Sequence, residues 1–369
     1  IGQNAFEECI SLESIELPES VRSIGVAAFY NCSALKSIEI PDSVTILNDF
    51  LFDGCSSLAS VRIPSTVTSI NVQVFNNCSS LTSIRIPAGV TRIGNLAFGG
   101  CSSLVGIISL IPADKLFRIV SSNANRSICT LFVVPGAKSA YENTNYWNRF
   151  TNIEEIDGEC GDELHWSLND SGVLTIMGNG AMHDYTSSRA PWYDIRDSIR
   201  VVRFLSDVTS IDSEAFRGCN SIESIVSFIP ADKLFAPGTD AFADVDKNSC
   251  LLYVLADTKS KHETIAGWKE FSNIIEINGE CGDRLYWSLD EATGALTIMG
   301  NGAMTYISHR NVPWYDILDR IKTVNFVGSP TNIGYRAFDG CSALESIVIP
   351  EGVTSIGNSA FSGCYGLTS

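Results

Sequence analysis

Histidine is scarce in this 369-residue sequence, with four copies, and none falls in an H-x-x-x-H or Cys-x-x-Cys arrangement. A zinc site or a Cys–His nucleophile therefore has no spacing to rest on. Basic clusters are missing as well. Against 42 Asp and Glu stand 25 Lys and Arg, for a formal net charge of −17 and a pI of about 4.6. That balance argues against nucleic acid and anionic membranes as partners. Long apolar runs are absent too: the longest, Leu104 to Ile111, is far short of the roughly 18–20 residues of a spanning helix, so no membrane insertion is expected within this sequence. No secretory leader is visible. The sequence opens inside a repeat at IGQNAF and stops inside one at GCYGLTS, and is read here as a fragment whose targeting and anchoring segments lie outside it.

What is present is a period. Cys9, Cys32, Cys55, Cys78 and Cys101 are each 23 residues apart, and Phe6, Phe29, Phe52, Phe75 and Phe98 keep the same step. Pro18, Pro41, Pro64 and Pro87 follow it too. Self-similarity at such a period is the mark of a solenoid, in which each turn touches only its neighbours. A catalytic residue is normally unique, so a cysteine that recurs at every turn reads as core. Cysteine is small and often buried. Stacked copies would sit about 4.8 Å apart and point the same way, whereas a disulfide needs Cβ atoms about 3.8 Å apart and facing each other. The ladder thiols are expected to be free and inert.

Within each turn the apolar residues follow L-x-x-L-x-L: Leu12, Ile15, Leu17; Leu35, Ile38, Ile40; Leu58, Val61, Ile63; Leu81, Ile84, Ile86. This is the leucine-rich-repeat pattern, and it predicts a short strand with alternate residues inward, stacked into a parallel sheet. The outward residues then form two lanes. One holds Ser14, Ser37, Ser60 and Ser83; the other holds Glu16, Glu39, Arg62 and Arg85 and changes sign midway. Two readings stand side by side: a solvated sheet face, or a partner-binding face steered by complementary charge. The lanes contain no aromatic residue.

The phrases IPDSVT, IPSTVTSI, AFGGCSSL and IPEGVTSIGNSAFSGC combine F-x-x-C-x-x-L with I-P-x-x-V-T-x-I spacing. In this they resemble the BspA-type leucine-rich repeats of bacterial cell-surface proteins, over about two thirds of the sequence. The segments CGDELHWSLNDSGVLTIMGNGAM (160–182) and CGDRLYWSLDEATGALTIMGNGAM (281–304) resemble the caps that precede repeat blocks in that family. The resemblance implies a secreted or surface-displayed, non-catalytic binding protein, often tied to adhesion, with host or neighbouring-cell surface or matrix proteins as partners.

A longer period organises the whole. Trp147, Trp166 and Trp192 reappear as Trp268, Trp287 and Trp314, Cys129 and Cys160 as Cys250 and Cys281, and IPADKLF occurs at 111–117 and 229–235. The expected architecture is an α/β repeat solenoid of 23-residue turns with short parallel strands, interrupted by β-hairpin and strand-helix caps. Its segments are a first repeat block at 1–117, caps at 118–198, a second block at 199–235, caps at 236–320 and a third block at 321–369. TLFVV predicts a strand, Lys138 to Tyr146 a helix with a copy at Lys259 to Ala266, and LHWSL-NDSG-VLTIM a hairpin.

Each candidate for chemistry meets a plainer reading. The tryptophans, all in the caps, suggest a sugar platform or, more simply, anchors of cap to solenoid. No histidine recurs between copies: His165 matches Tyr286, His262 matches Tyr141, His183 matches Thr305 and His309 matches Ser187. GNG at 178–180 and 300–302 lacks the further glycine and lysine of a phosphate loop and reads as a turn. Asp244 to Asn248 starts like a calcium loop, but Ser249 and Leu255 stand where glycine and glutamate belong. Cys129–Cys160 and Cys250–Cys281 are the only disulfides worth considering, with free thiols as the alternative. No cofactor, metal or catalytic residue is expected, and a monomer is. The functional expectation is protein binding through the repeat surface. A carbohydrate-binding accessory protein and a spacer projecting another domain are the alternatives.

Overall fold

The computed structural model describes residues 1–118, 129–185, 189–205, 208–282, 284–304 and 312–369. The chain forms two compact units, Ile1–Glu276 and Ile277–Ser369.

In the first unit the 23-residue step becomes stacked turns. Strand Ser37–Glu39 pairs in parallel with Ser60–Arg62, aligning Ile38 with Val61 on the core side. Ser83–Ile86, Gly106–Ser109, Thr130–Val133 and Asn152–Glu155 form a four-stranded parallel sheet in which Ile84, Ile107, Leu131 and Ile153 align inward. In the first turn Leu12, Ile15 and Leu17 pack on the core, but their segment is not a strand. The neighbouring turn holds it, with Lys36 N donating to Glu13 O at 3.0 Å.

Each strand of the regular turns ends at the Ile-Pro pair, since proline has no N–H for the ladder. The proline carbonyl instead accepts from the residue three on, as Val44 N to Pro41 O and Val67 N to Pro64 O, both near 3 Å. Past this corner a second, shorter parallel ladder joins Ile46–Leu47, Ser69–Ile70 and Arg92–Ile93. The chain then turns through the phenylalanine and cysteine rows. Phe6, Phe29, Phe52, Phe75 and Phe98 stack with centroids 5.1–5.9 Å apart. Just before each cysteine, Asn31, Gly54, Asn77 and Gly100 adopt positive φ. That conformation suits asparagine and glycine, which explains the repeated Asn-Cys and Gly-Cys pairs.

The strand-helix segments are further rungs of the preceding sheet, with Thr130–Val133 and Asn152–Glu155 pairing directly onto it. The α-helix is shorter than the sequence suggests. It runs Lys138–Asn143, stops before Tyr146 at φ +74, and a 3-10 turn follows at Trp147–Arg149. Its copy is a single turn, Lys259–His262.

The hairpin begins a new sheet. Leu164–Leu168 and Val173–Gly178 pair antiparallel as the alternation predicts, and Val201–Phe204, Ser224–Ser227, Leu251–Leu255 and Asn273–Ile277 complete a seven-stranded order with Gly158–Glu159 at the other edge. Trp192 stacks on Phe216 at 5.4 Å, and Phe216 on Phe242 at 5.2 Å. Trp192 is thus the first rung of this block's aromatic ladder, and its indole N–H donates to Ala215 O at 2.9 Å.

The second unit repeats the plan. Leu285–Asp290 and Ala295–Gly300 form the hairpin, and Thr323–Gly328 and Ser346–Ile347 add in parallel. Trp314, Phe338 and Phe361 make its aromatic ladder at 5.6 and 5.4 Å. Gly178 and Gly300 end the returning hairpin strands at φ +118, each Cα directly over a backbone carbonyl, of Glu163 and Arg284 respectively. No side chain fits there, so the GNG segments are turns required by backbone approach.

Candidate functional site

The parallel register turns the serine and charge positions into lanes: Ser37 aligns with Ser60, Glu39 with Arg62, and Ser83 and Arg85 with Gly106 and Ile108. The two ends of these lanes differ in environment. Ser14, Glu16 and Glu39 are exposed, and Ser37 and Arg62 half-buried. Arg62 reaches Asp42 at 3.1 Å, and on the same turns Lys36 reaches Glu13 at 2.7 Å. Ser60 and Ser83, by contrast, are 1% and 2% exposed.

The cover over Ser60 and Ser83 comes from the block beginning at the hairpin. Lys233 donates to Ser60 Oγ, Arg85 lies 3.9 Å from Glu163, and Leu205 sits over the Cα of Gly106. On the next rungs Glu154 Oε1 accepts from Asn169 at 3.2 Å. These contacts join the outer faces of two sheets. Ile108, Phe132, Met177, Leu205 and Val226 are buried although none belongs to either block's own core. The lane expected to run open from Ser14 to Arg85 is therefore closed from Ser60 onward, because the strands beyond it carry apolar residues on both faces.

His165 lies at the same junction. It is half-buried, its Nε2 has no hydrogen-bond partner, and burial followed by the nearby Arg85 guanidinium lowers its pKa. His262 is fully buried, 5.6 Å from the Trp268 ring, and burial lowers its pKa as well. Both imidazoles are thus neutral in the fold at pH values where an unfolded chain, with histidine pKa near about 6.5, takes up protons. Stability should be complete above about pH 6.5 and fall as pH drops through the lowered folded values. Urea midpoints between pH 7.5 and 5 test this: a His165→Gln/His262→Gln variant should show a flatter slope, and an unchanged slope would place the dependence elsewhere.

The remaining candidates resolve into packing and turns. All six tryptophans are buried, so none offers a sugar platform in this structure. Trp147 and Trp268 donate their indole N–H to Phe117 O and Phe235 O, each at 2.9 Å, tying strand-helix segments to the IPADKLF corners. Asp246 accepts from Asn248 N and Ser249 Oγ, closing a local turn. His183 is exposed, 3.5 Å from Asp162; His309, Thr305 and Ser187 lie outside the described residues. Among the described residues there is no cluster of three or more His, Cys, Asp or Glu placed to hold a metal, and no helix is long and apolar enough to cross a membrane.

The cysteines form no disulfide, Cys129, Cys160, Cys250 and Cys281 included. Cys129 and Cys160 belong to the cores of different blocks. On the ladder, Cys32, Cys55, Cys78 and Cys101 each donate to a phenylalanine carbonyl one turn back, at 3.0–3.2 Å. Burial pushes the Cys32 thiol up to about 11 and Cys101 to about 12, and Cys55 and Cys78 further still. A thiol held protonated is a poor nucleophile. Cys9 alone is exposed, and Cys364 half-buried.

The family model described as BspA type Leucine rich repeat region matches six copies, over residues 1–115, 193–251 and 315–369, more than half of the chain. No curated protein matches. A leucine-rich repeat protein from Bacteroides ovatus is 22% identical, over 99% of this chain and 80% of its own, with a TM-score of 0.32. A leucine rich cell surface protein from Faecalibacterium prausnitzii is 23% identical over 100% and 75%, with a TM-score of 0.27. A leucine-rich repeat protein of T. pallidum is 17% identical over 65% and 73%, with a TM-score of 0.28.

Proposed function

The chain belongs to the BspA-type leucine-rich-repeat family, and on that premise we propose that it is a non-catalytic binding protein, displayed at or secreted from the cell surface, that engages a protein partner. The observation that carries this reading is the open end of the sheet face, where Ser14, Glu16, Ser37 and Glu39 form a polar, acidic strip on two adjoining turns. Arg85 is drawn toward Glu163 and Arg62 toward Asp42, so the strip's free charge is negative. Its partner is a host or neighbouring-cell surface or matrix protein with a basic patch, and adhesion is the role such contact serves. Encounter would be steered by complementary potential and weakened by salt, whose screening length is about 8 Å at physiological ionic strength.

An array of matrix proteins, host surface proteins and glycans, probed with the intact chain, tests the proposal. Binding to a basic protein that falls with salt, and is lost in Glu16→Lys/Glu39→Lys, is the expected result. Both side chains are exposed, so the variant should keep its melting temperature within the effect of about 0–1 kcal/mol typical of surface charges. Protein binding unchanged by the variant would move the site elsewhere. Binding to glycans alone would favour the carbohydrate-binding alternative.

A further inference from the structure

In the second unit the residues opposite the core on the parallel strands are Thr323, Asn325 and Val327 on one strand and Ser346 and Val348 on and just beyond the next. Val327 is 58% exposed and Val348 82% exposed. The long period places Leu205 and Val226 at the same positions of the first unit, where they are 1% and 0% exposed. There the outer face is closed by the outer face of another repeat sheet, with Leu205 over Gly106. One position in one fold is thus filled by a repeat-sheet face in one copy and left open in the other.

We propose that the open face of the Ile277–Ser369 unit docks on the same face of a second copy of this chain, giving a two-fold dimer. Two observations select that occupant. The internal copy shows that this sheet position accepts a repeat-sheet face. The five outward residues carry no charge, so an isologous contact, which pairs the patch with itself, brings no like charges together within it on a chain of net charge −17. The acidic and basic lane of the first unit would not have that freedom. Only Val327 and Val348 among the five are apolar, so the dimer is weak and concentration-dependent. The monomer expected from sequence is the alternative.

Sedimentation velocity of the full chain, taken up to about 1 mM, tests the proposal. The expected result is a shift toward dimer with concentration, abolished in Val327→Lys/Val348→Lys with the melting temperature retained. A chain that stays monomeric throughout overturns it, as does a dimer that the double variant leaves intact. Oxidative crosslinking gives a second readout that does not depend on that variant. In a Cys9→Ser background, Val348→Cys should form a disulfide-linked dimer readily, whereas Ile10→Cys, exposed in the other unit, should not. Equal crosslinking at the two positions would also count against the pairing.

Discussion

Phe75→Ala should lower the unfolding free energy by about 3–5 kcal/mol, the range for emptying a buried aromatic site. Phe75 is fully buried and stacked between Phe52 at 5.7 Å and Phe98 at 5.9 Å. Those neighbours belong to adjoining turns, and the sheet and the Ile-Pro corner fix the turn spacing, so the rings cannot close the gap by moving together. Stability in a repeat array is nearly a sum of turn and interface terms. The loss should therefore also uncouple the turns before residue 75 from those after it, broadening or splitting the guanidinium transition. Phe6→Ala, at the half-buried first rung, should cost well under half as much. A Phe75→Ala loss below about 1 kcal/mol, no larger than an ordinary surface change, would show that the ladder is not a close-packed core.

The second large effect belongs to the junction between sheet faces. Leu205→Asp puts a carboxylate over Gly106 and Phe132, with the buried Arg203 two residues before it on the same strand face. A carboxylate buried there must neutralise, draw Arg203 from its present contacts, or force the surfaces apart, and a cost of about 2–4 kcal/mol is expected. Each block keeps its own core, so far-UV circular dichroism should change little while the melting temperature drops. Val327→Asp is the matched control: the same position of the long period, 58% exposed, and expected to stay within about 0.5 kcal/mol of the parent. Equal effects of the two substitutions would mean that Leu205 is not held between faces.

Much of this was legible in the residues. The 23-residue step of Phe and Cys fixed the turn, L-x-x-L-x-L located the inward row, and LHWSL-NDSG-VLTIM located the hairpin. The helix ends were not legible, because positive φ at Tyr146 and Gly267 interrupts segments whose composition alone favours continuing. The strand-helix segments looked like caps because their spacing departs from 23 residues, yet TLFVV and NIEE pair straight onto the preceding sheet.

The closed face left a signal that alternation alone does not interpret. VGIISLI and TLFVV replace the apolar–polar alternation of SIEIP and SIRIP with continuous apolar runs, the mark of strands covered on both sides. NFVG and SIVIP in the second unit carry related apolar residues, but Val327 and Val348 are exposed there. A run of this kind shows that a face is suited to cover, and only the three-dimensional arrangement shows which faces receive it. The open end of the lane became definable only once Lys233, Glu163 and Leu205 were placed over its other end.

The division of one lane into an open and a closed end is the central claim, and Ser37 and Ser83 test it directly. They occupy equivalent positions two turns apart, each the first residue of its strand, Ser37–Glu39 and Ser83–Ile86, with nearly the same neighbours in sequence. In a Cys9→Ser background, Ser37→Cys and Ser83→Cys should be labelled with a small maleimide in the native state and located by peptide mass spectrometry. The account predicts rapid labelling at residue 37, protection of at least tenfold at residue 83, and loss of that protection in Leu205→Asp. Equal native rates at the two positions would contradict it.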